Sequence, residues 1–211
     1  MEDFQIGKEK LKTKIIDGLL NYVRDGGTFH YNSNIFLENY SFIQDFGNKD
    51  DYAKELLNLH NETIEQATTE SYEKIKDLSG DELIDAFITY TERLNFVVLM
   101  LSKIFSYLSF YYIKFIKSKD LGEICLDIYK KNFFDKLQDK LFPSLKELIN
   151  KEGKDENVEK KIKTIMKIID YLDFVKPKII KKGNSSEWIE DSKEEVENPK
   201  VYQKKWNDFK A

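Results

Sequence analysis

Helix breakers are scarce in this chain. Its 211 residues include three prolines and nine glycines, so little in the sequence stops a helix from running on. Cysteine is scarcer still. A single thiol, Cys125, excludes an intrachain disulfide framework and suits a reducing compartment. Positive charge has no excess either: Lys and Arg total 34 against 38 Asp and Glu, a net charge of −4. That balance gives no global attraction to nucleic-acid phosphates. Met1-Glu2-Asp3-Phe4 lacks the basic and apolar regions of a secretory signal, so a cytoplasmic or nuclear location is expected. Without secretion, the sequons Asn61-Glu62-Thr63 and Asn184-Ser185-Ser186 read as chance matches.

Constellations that carry chemistry are also missing. His30 and His60 stand far apart, and neither belongs to a spaced Cys/His cluster of the kind that holds zinc. Cys125 has no base partner nearby in sequence and reads as a core thiol on a helix. "RDGGTFHY" is a turn without the Lys-Ser/Thr that a P-loop needs. Acidic residues on the Lys-rich helices read as solvated i,i+4 partners rather than acid–base dyads. The expectation is a chain with no catalytic, cofactor-binding or metal-binding residues and no cofactor.

What is present is helical periodicity in a globular composition, 41% hydrophobic and 34% charged. Leu11, Ile15, Leu19 and Tyr22 mark a first helix that stops at Gly26-Gly27. Ser33 and Asn34 can cap a second helix and Gly47 can end it. A longer helix follows from about Asp51 to near Gly80, carrying Leu56, Leu57, Ile64 and Ile75, and Asp81 opens the next with Leu83, Ile84, Phe87 and Ile88. Helices near 121–142 and 144–152 are expected to meet at Pro143, a residue suited to a first turn. Ile162, Ile165, Met166, Ile169 and Leu172 form a last amphipathic stripe. No alternation of period two stands out, so no sheet is expected. From Pro177 the composition turns to proline, small polar residues and an acidic run, which reads as an irregular connection.

The longest apolar run, "NFVVLMLSKIFSYLSFYYI", covers residues 95–113 and reaches the length of a membrane span. On a helical wheel, however, Lys103, Lys114 and Lys117 fall within about 60° of one another at 100° per residue. Ser102, Ser106 and Ser109 widen that polar arc. Lys103 would sit near mid-bilayer, where a charge costs about 2.5–3.5 kcal/mol, so the run reads as one central helix buried among others. The second helix also has more apolar surface than a surface helix needs. Ile35, Asn39, Phe42 and Phe46 cluster on one side and Phe36, Tyr40 and Ile43 on the next, leaving Glu38, Ser41 and Asp45 as a polar strip. Two readings of that surplus remain open: a helix sandwiched inside its own bundle, or a second face that docks a partner.

Several segments resemble the N-terminal region of cullins. "YTERLNFVVLMLSKIFSYLSFYYIK" is similar to the cullin helix reading Tyr, Leu or Met, a small polar residue, Arg, then an aromatic and Val, here Tyr107-Leu108-Ser109-Phe110-Tyr111-Tyr112-Ile113. "LKELINKEGKDENVEKKIKTIMKIIDYL" resembles the cullin Leu-Ile-x-x-Glu-Arg segment with its following helix. Val201-Tyr202 with Trp206 resembles the start of the next cullin helix, and "FLENYSFIQDF" lies where cullins carry an aromatic-rich second helix. The likeness is collinear over roughly residues 11–210. It departs at Phe110 and Gly153, where cullins carry Arg, and at Asn39 and Gln44, where they more often carry Leu and an aromatic residue.

The resemblance implies an all-α stacked helical bundle of cullin-repeat type, a five-helix repeat plus the start of the next. The implied organisation is residues 1–176 as the first repeat and following helices, 177–198 as an irregular acidic connection, and 199–211 as the start of a further helix in a truncated chain. It further implies a non-catalytic scaffold arm of a cullin-RING ubiquitin ligase. Its second and fifth helices would bind a BTB/POZ-like or elongin C-like substrate adaptor. Carried over by position, the contact residues are Phe36, Asn39, Tyr40 and Gln44 on the second helix and Tyr112 on the fifth. Phe36 and Tyr40 are residues of the surplus apolar face, which favours docking there; Tyr107 and Leu108 read as core. A RING subunit would join only through a C-terminal region absent from these 211 residues, and neither nucleic acid nor membrane is an expected partner. The alternative is a helical scaffold or tethering subunit unrelated to ubiquitin transfer.

Overall fold

A computed structural model of the protein describes residues 2–30, 32–113, 120–150, 156–172, 177–182 and 185–190. Helix α1 (Glu2–Leu11) passes through a π turn (Lys12–Ile16) into α2 (Asp17–Asp25). Next come α3 (Ser33–Phe46), α4 (Asp50–Ile75), α5 (Gly80–Ile104) and a one-turn α6 (Ser106–Leu108) that leads into a second π turn (Ser109–Ile113). Helix α7 (Leu121–Tyr129) runs through a third π turn (Lys130–Phe134) into α8 (Asp135–Ile149), and α9 (Glu156–Leu172) follows. The chain divides into two compact units, residues 1–76 with 89–137 and residues 77–88 with 138–211.

In the first unit α4 packs against α2, α3, α7 and the π turn after α7. Its apolar stripe supplies Leu56, Leu57, Ile64, Ala67 and Ile75 to the core. Helix α2 stops where the sequence said it would. Gly26 adopts φ 69°, a left-handed conformation that favours glycine, and Arg93 Nη1 donates to the Val23 carbonyl at 3.0 Å. The guanidinium of Arg24 reaches Glu70 through Nε at 2.6 Å and Nη2 at 2.8 Å. This fork ties α2 to α4 and holds the Glu70 carboxyl below its ordinary range.

In the second unit the first turns of α5 bury Leu83, Ile84 and Phe87, α8 buries Leu141, Leu145, Leu148 and Ile149, and α9 buries Ile162, Ile165, Ile168 and Ile169. Ser144 stitches the start of α5 to α8: its hydroxyl accepts from Gly80 N at 3.0 Å and donates to the Lys140 carbonyl at 2.9 Å. Lys161 on α9 pairs with Asp85 at 2.6 Å.

Four expectations are corrected. The run 95–113 is not one helix: α5 ends at Ile104, and the segment Ser106–Tyr112 turns away from it by 67°. Phe105, at φ −88° and ψ 10°, makes the break. Among the described residues no single helix is long and apolar enough to cross a membrane; only this bent pair meets that length and composition together. Pro143 does not separate two helices but lies inside α8. Its ring stands on the exposed side, as does Asp139, whose carbonyl loses its amide partner to the proline. Helix α3 is capped one residue earlier than expected, by Asn32, whose Oδ1 accepts from the amides of Asn34 and Ile35 at 3.0 and 3.3 Å. Finally, part of the expected irregular connection 177–198 is a hairpin, and so a sheet exists. Strand β1 (Pro177–Lys182) pairs antiparallel with β2 (Ser185–Glu190), setting Ile179 opposite Trp188 and Lys182 opposite Ser185. Ile and Trp favour strands, and the intervening Gly183-Asn184 is a dipeptide suited to two-residue hairpin loops. The fold is otherwise all-α. The further helix expected from residue 199 lies outside the described residues.

Candidate partner-binding face

Helix α3 is short and crowded with aromatics because its inner side completes a ring cluster. Phe42 and Phe46 meet Phe4 of α1 with ring centroids 5.7 and 5.4 Å away, and Tyr52 of α4 stacks on Phe4 at 4.3 Å. Lys49 lies 4.9 Å above the Phe46 ring and 5.9 Å above that of Tyr52. The Phe42 ring lies close over Gly7 of α1: a Cβ there would stand 2.3 Å from it. Ile43 is fully buried beside it. This inner side accounts for half of the apolar surplus seen in the sequence.

The outer side presents something else. Leu37 is 60% exposed, Glu38, Ser41, Gln44 and Asp45 are exposed, and Phe36 and Tyr40 are half-buried at the margin. Of the five residues carried over as contacts, Phe36, Tyr40 and Gln44 therefore share one accessible flank. Asn39 does not. It is 5% exposed, and its amide donates to the Ile35 carbonyl at 2.7 Å within its own helix. It lies among the apolar residues of the inner side, with its amide turned onto its own backbone. Leu37, which the carry-over by position did not name, is exposed on the same side.

The second part of the face comes from the end of the bent run. Tyr107 and Leu108 of α6 approach the end of α3: each side chain lies 3.4 Å from where a Cβ on Gly47 would stand. Leu108 is fully buried, as expected of a core residue, and Tyr107 is half-buried. The π turn that follows inverts the expectation for its aromatics. Tyr112, carried over as a contact, is 5% exposed, whereas Phe110 is 67% and Tyr111 59% exposed. Tyr111 stacks on Tyr107 with centroids 4.3 Å apart. Nor does Tyr112 belong to a fifth long helix; it ends the bent continuation of the fourth, and α7 opens the fifth. A π turn shifts the residues it contains around the helix axis relative to an α-helical wheel, so sequence spacing alone could not say which tyrosine points inward.

The residues with latent chemistry are inside. His60 and Cys125, distant in sequence, meet in the first unit's core, with Nε2 3.7 Å from Sγ. Nδ1 of His60 lies 3.0 Å from Asn61 Oδ1, and its ring sits edge-on to Phe105 at 5.2 Å. If Nδ1 donates to that oxygen, Nε2 is left to accept from the thiol. Burial lowers His60 to about 4 and raises Cys125 to about 12. Both are therefore neutral at physiological pH, which makes a packed hydrogen-bonded pair and not a thiolate with its base. Tyr129 is held the same way, its hydroxyl 2.9 Å from that of Thr91, with ionisation pushed up by burial. Among the described residues no group of three or more His, Cys, Asp or Glu could hold a metal ion.

The family model of the Cullin alpha solenoid domain matches residues 27–209. Comparisons with curated proteins and with solved structures gave no match. The matched span begins just before α3 and includes every residue of the face described above.

Proposed function

The chain belongs to the cullin family, and from that premise we propose that it is the scaffold arm of a cullin-RING ubiquitin ligase, holding a BTB/POZ-like or elongin C-like substrate adaptor on α3. A cullin alpha solenoid is a helical scaffold whose work is protein–protein contact. The observation that carries the adaptor reading is the outer flank of α3. There exposed Leu37 and Gln44 and half-buried Tyr40 are carried by a helix whose inner side packs into a cluster of four rings. Aromatic anchors on a rigid element lose little freedom on binding, which is what an interface hot spot requires.

The mechanism is geometric. The adaptor gains a fixed distance and orientation relative to whatever the far end of the arm carries, and no side chain of this arm enters the transfer chemistry. Asn39 and Tyr112 serve the face from behind, by fixing the helix and the turn that present it. The place of action we propose is the cytoplasm or nucleus.

The test is a binding titration of the chain against purified BTB/POZ and elongin C-like adaptors, with Tyr40→Ala alongside and circular dichroism as the check on folding. One adaptor should bind, and Tyr40→Ala should weaken it by about 2 kcal/mol. A folded chain that binds none of them overturns the reading and leaves a helical scaffold that serves another assembly.

A further inference from the structure

We propose that His60 is a positioning residue for the docking face: its ring, braced by Cys125, holds the bend at Phe105 and so fixes where the segment 106–113 meets α3. This rests on the adaptor reading and names a residue that keeps that site in shape from inside the core.

The bend has no cause in the backbone chemistry. A sharp break in a helix needs a local one, yet neither glycine nor proline occurs from Asp81 to Asp120. Phe105 itself takes φ −88° and ψ 10°, outside the α-helical range. Its amide still donates to the Leu101 carbonyl at 2.8 Å, and its carbonyl still accepts from Ser109 N at 3.2 Å. The chain therefore turns at one residue with those hydrogen bonds kept, and the Phe105 side chain decides the direction. That side chain is fully buried. Its ring meets the His60 ring at 5.2 Å with the planes 70° apart, an edge-to-face contact, which is directional in a way that aliphatic packing is not.

His60 is itself held. A fully buried polar ring is costly unless its nitrogens find partners, and both do. Nδ1 lies 3.0 Å from Asn61 Oδ1 on its own helix, and Nε2 lies 3.7 Å from Cys125 Sγ on α7. Two contacts in different directions fix the plane of the imidazole, where an apolar side chain would pack without fixing one. Buried polar groups with their partners in place rigidify a core and select one arrangement. Here the arrangement selected is that of α4, α7 and the bend.

The bend in turn acts as a lever. Past it, Tyr107 and Leu108 close on Gly47 at the end of α3. Phe110 stands five residues beyond Phe105, about 8 Å along the segment, so a change of about 20° in the bend shifts it by about 3 Å. A shift of that size breaks contacts whose heavy atoms must meet within about 4.5 Å.

The experiment uses the full chain and the adaptor that binds it best in the titration above. His60→Ala and Phe105→Leu should each weaken binding about tenfold, and each should speed amide exchange in residues 106–113 of the free chain. Ile75→Ala truncates the core near the far end of α4; it should lower the thermal melt as they do and leave binding within about twofold of wild type. Because the first two changes break one contact, the double variant His60→Ala/Phe105→Leu should bind within about twofold of the weaker single variant. Losses that multiply in the double variant, or an equal loss in Ile75→Ala, refute the positioning role. So does wild-type binding by His60→Ala, and in each of these cases the adaptor reading stands. If no adaptor binds, the adaptor reading falls, and exchange of residues 106–113 in the free chain still decides whether His60 holds the bend.

Discussion

Acid should unfold this protein partly through one imidazole. His60 is fully buried, and desolvation lowers it from 6.5 to about 4, against the weaker opposite pull of Asn61. The unfolded chain therefore takes up a proton on His60 below about pH 6.5, while the folded chain refuses it until about pH 4. In that window the unfolded state binds more protons, so stability rises with pH and is lost as pH falls. At about 1.4 kcal/mol for each factor of ten, the full loss is about 3 kcal/mol, of which about 2 falls between pH 7 and pH 5. Urea unfolding followed by circular dichroism at both pH values measures it. Carboxylates titrate in the same range, so the quantity of interest is the difference between wild type and His60→Gln. The variant is less stable at pH 7, but its loss on acidification should be smaller by about 2 kcal/mol. Equal losses in the two proteins would refute the claim that His60 is held neutral in the core.

Other consequences of the packing are equally direct. Gly7→Ala would drive a methyl into the Phe42 ring and should cost about 1–3 kcal/mol, read as a lower urea midpoint. Asn32→Ala removes the cap of α3 and should cost about 1 kcal/mol by the same measurement, with faster amide exchange in the first turn of that helix. Cys125, buried and with its thiol raised to about 12, should resist a thiol reagent at pH 8 in the native state and react fully in urea; rapid native labelling would contradict its burial.

Much of the fold was legible because helices announce themselves locally. The stripe Leu11, Ile15 and Leu19 is buried as its spacing required, and so are Leu83, Ile84 and Phe87. The stops at Gly26 and Gly47 came from residue chemistry that acts over a few positions. What failed depended on less local terms. The bend at Phe105 has no glycine or proline to mark it, since packing bends the chain there. The start of α7, expected near 121, is by contrast fixed locally, by a capping box of Asp120 and Glu123 with two 2.9 Å hydrogen bonds. The hairpin was hidden by an acidic flank and by strands too short for alternation to show.

The face was half legible for a similar reason. Helical spacing placed Phe36 and Tyr40 on one flank, because α3 is regular and its period holds, and the carry-over by position added Gln44 to it. The same spacing also placed Asn39 with Ile35, Phe42 and Phe46 on the inner side, where its amide turns onto its own backbone; the carry-over by position made it a contact instead. Spacing could not order Phe110, Tyr111 and Tyr112 within a π turn, where the period changes. The pairing of His60 with Cys125 lay beyond any local signal, being created by α4 packing on α7.

The most direct test of the account is hydrogen–deuterium exchange of the chain alone and with its best-binding adaptor. Adaptor binding should slow exchange in residues 33–46 and 106–113 and leave 156–172 unchanged. Protection confined to other helices, with α3 exchanging as in the free chain, would contradict the claim that α3 is the docking element.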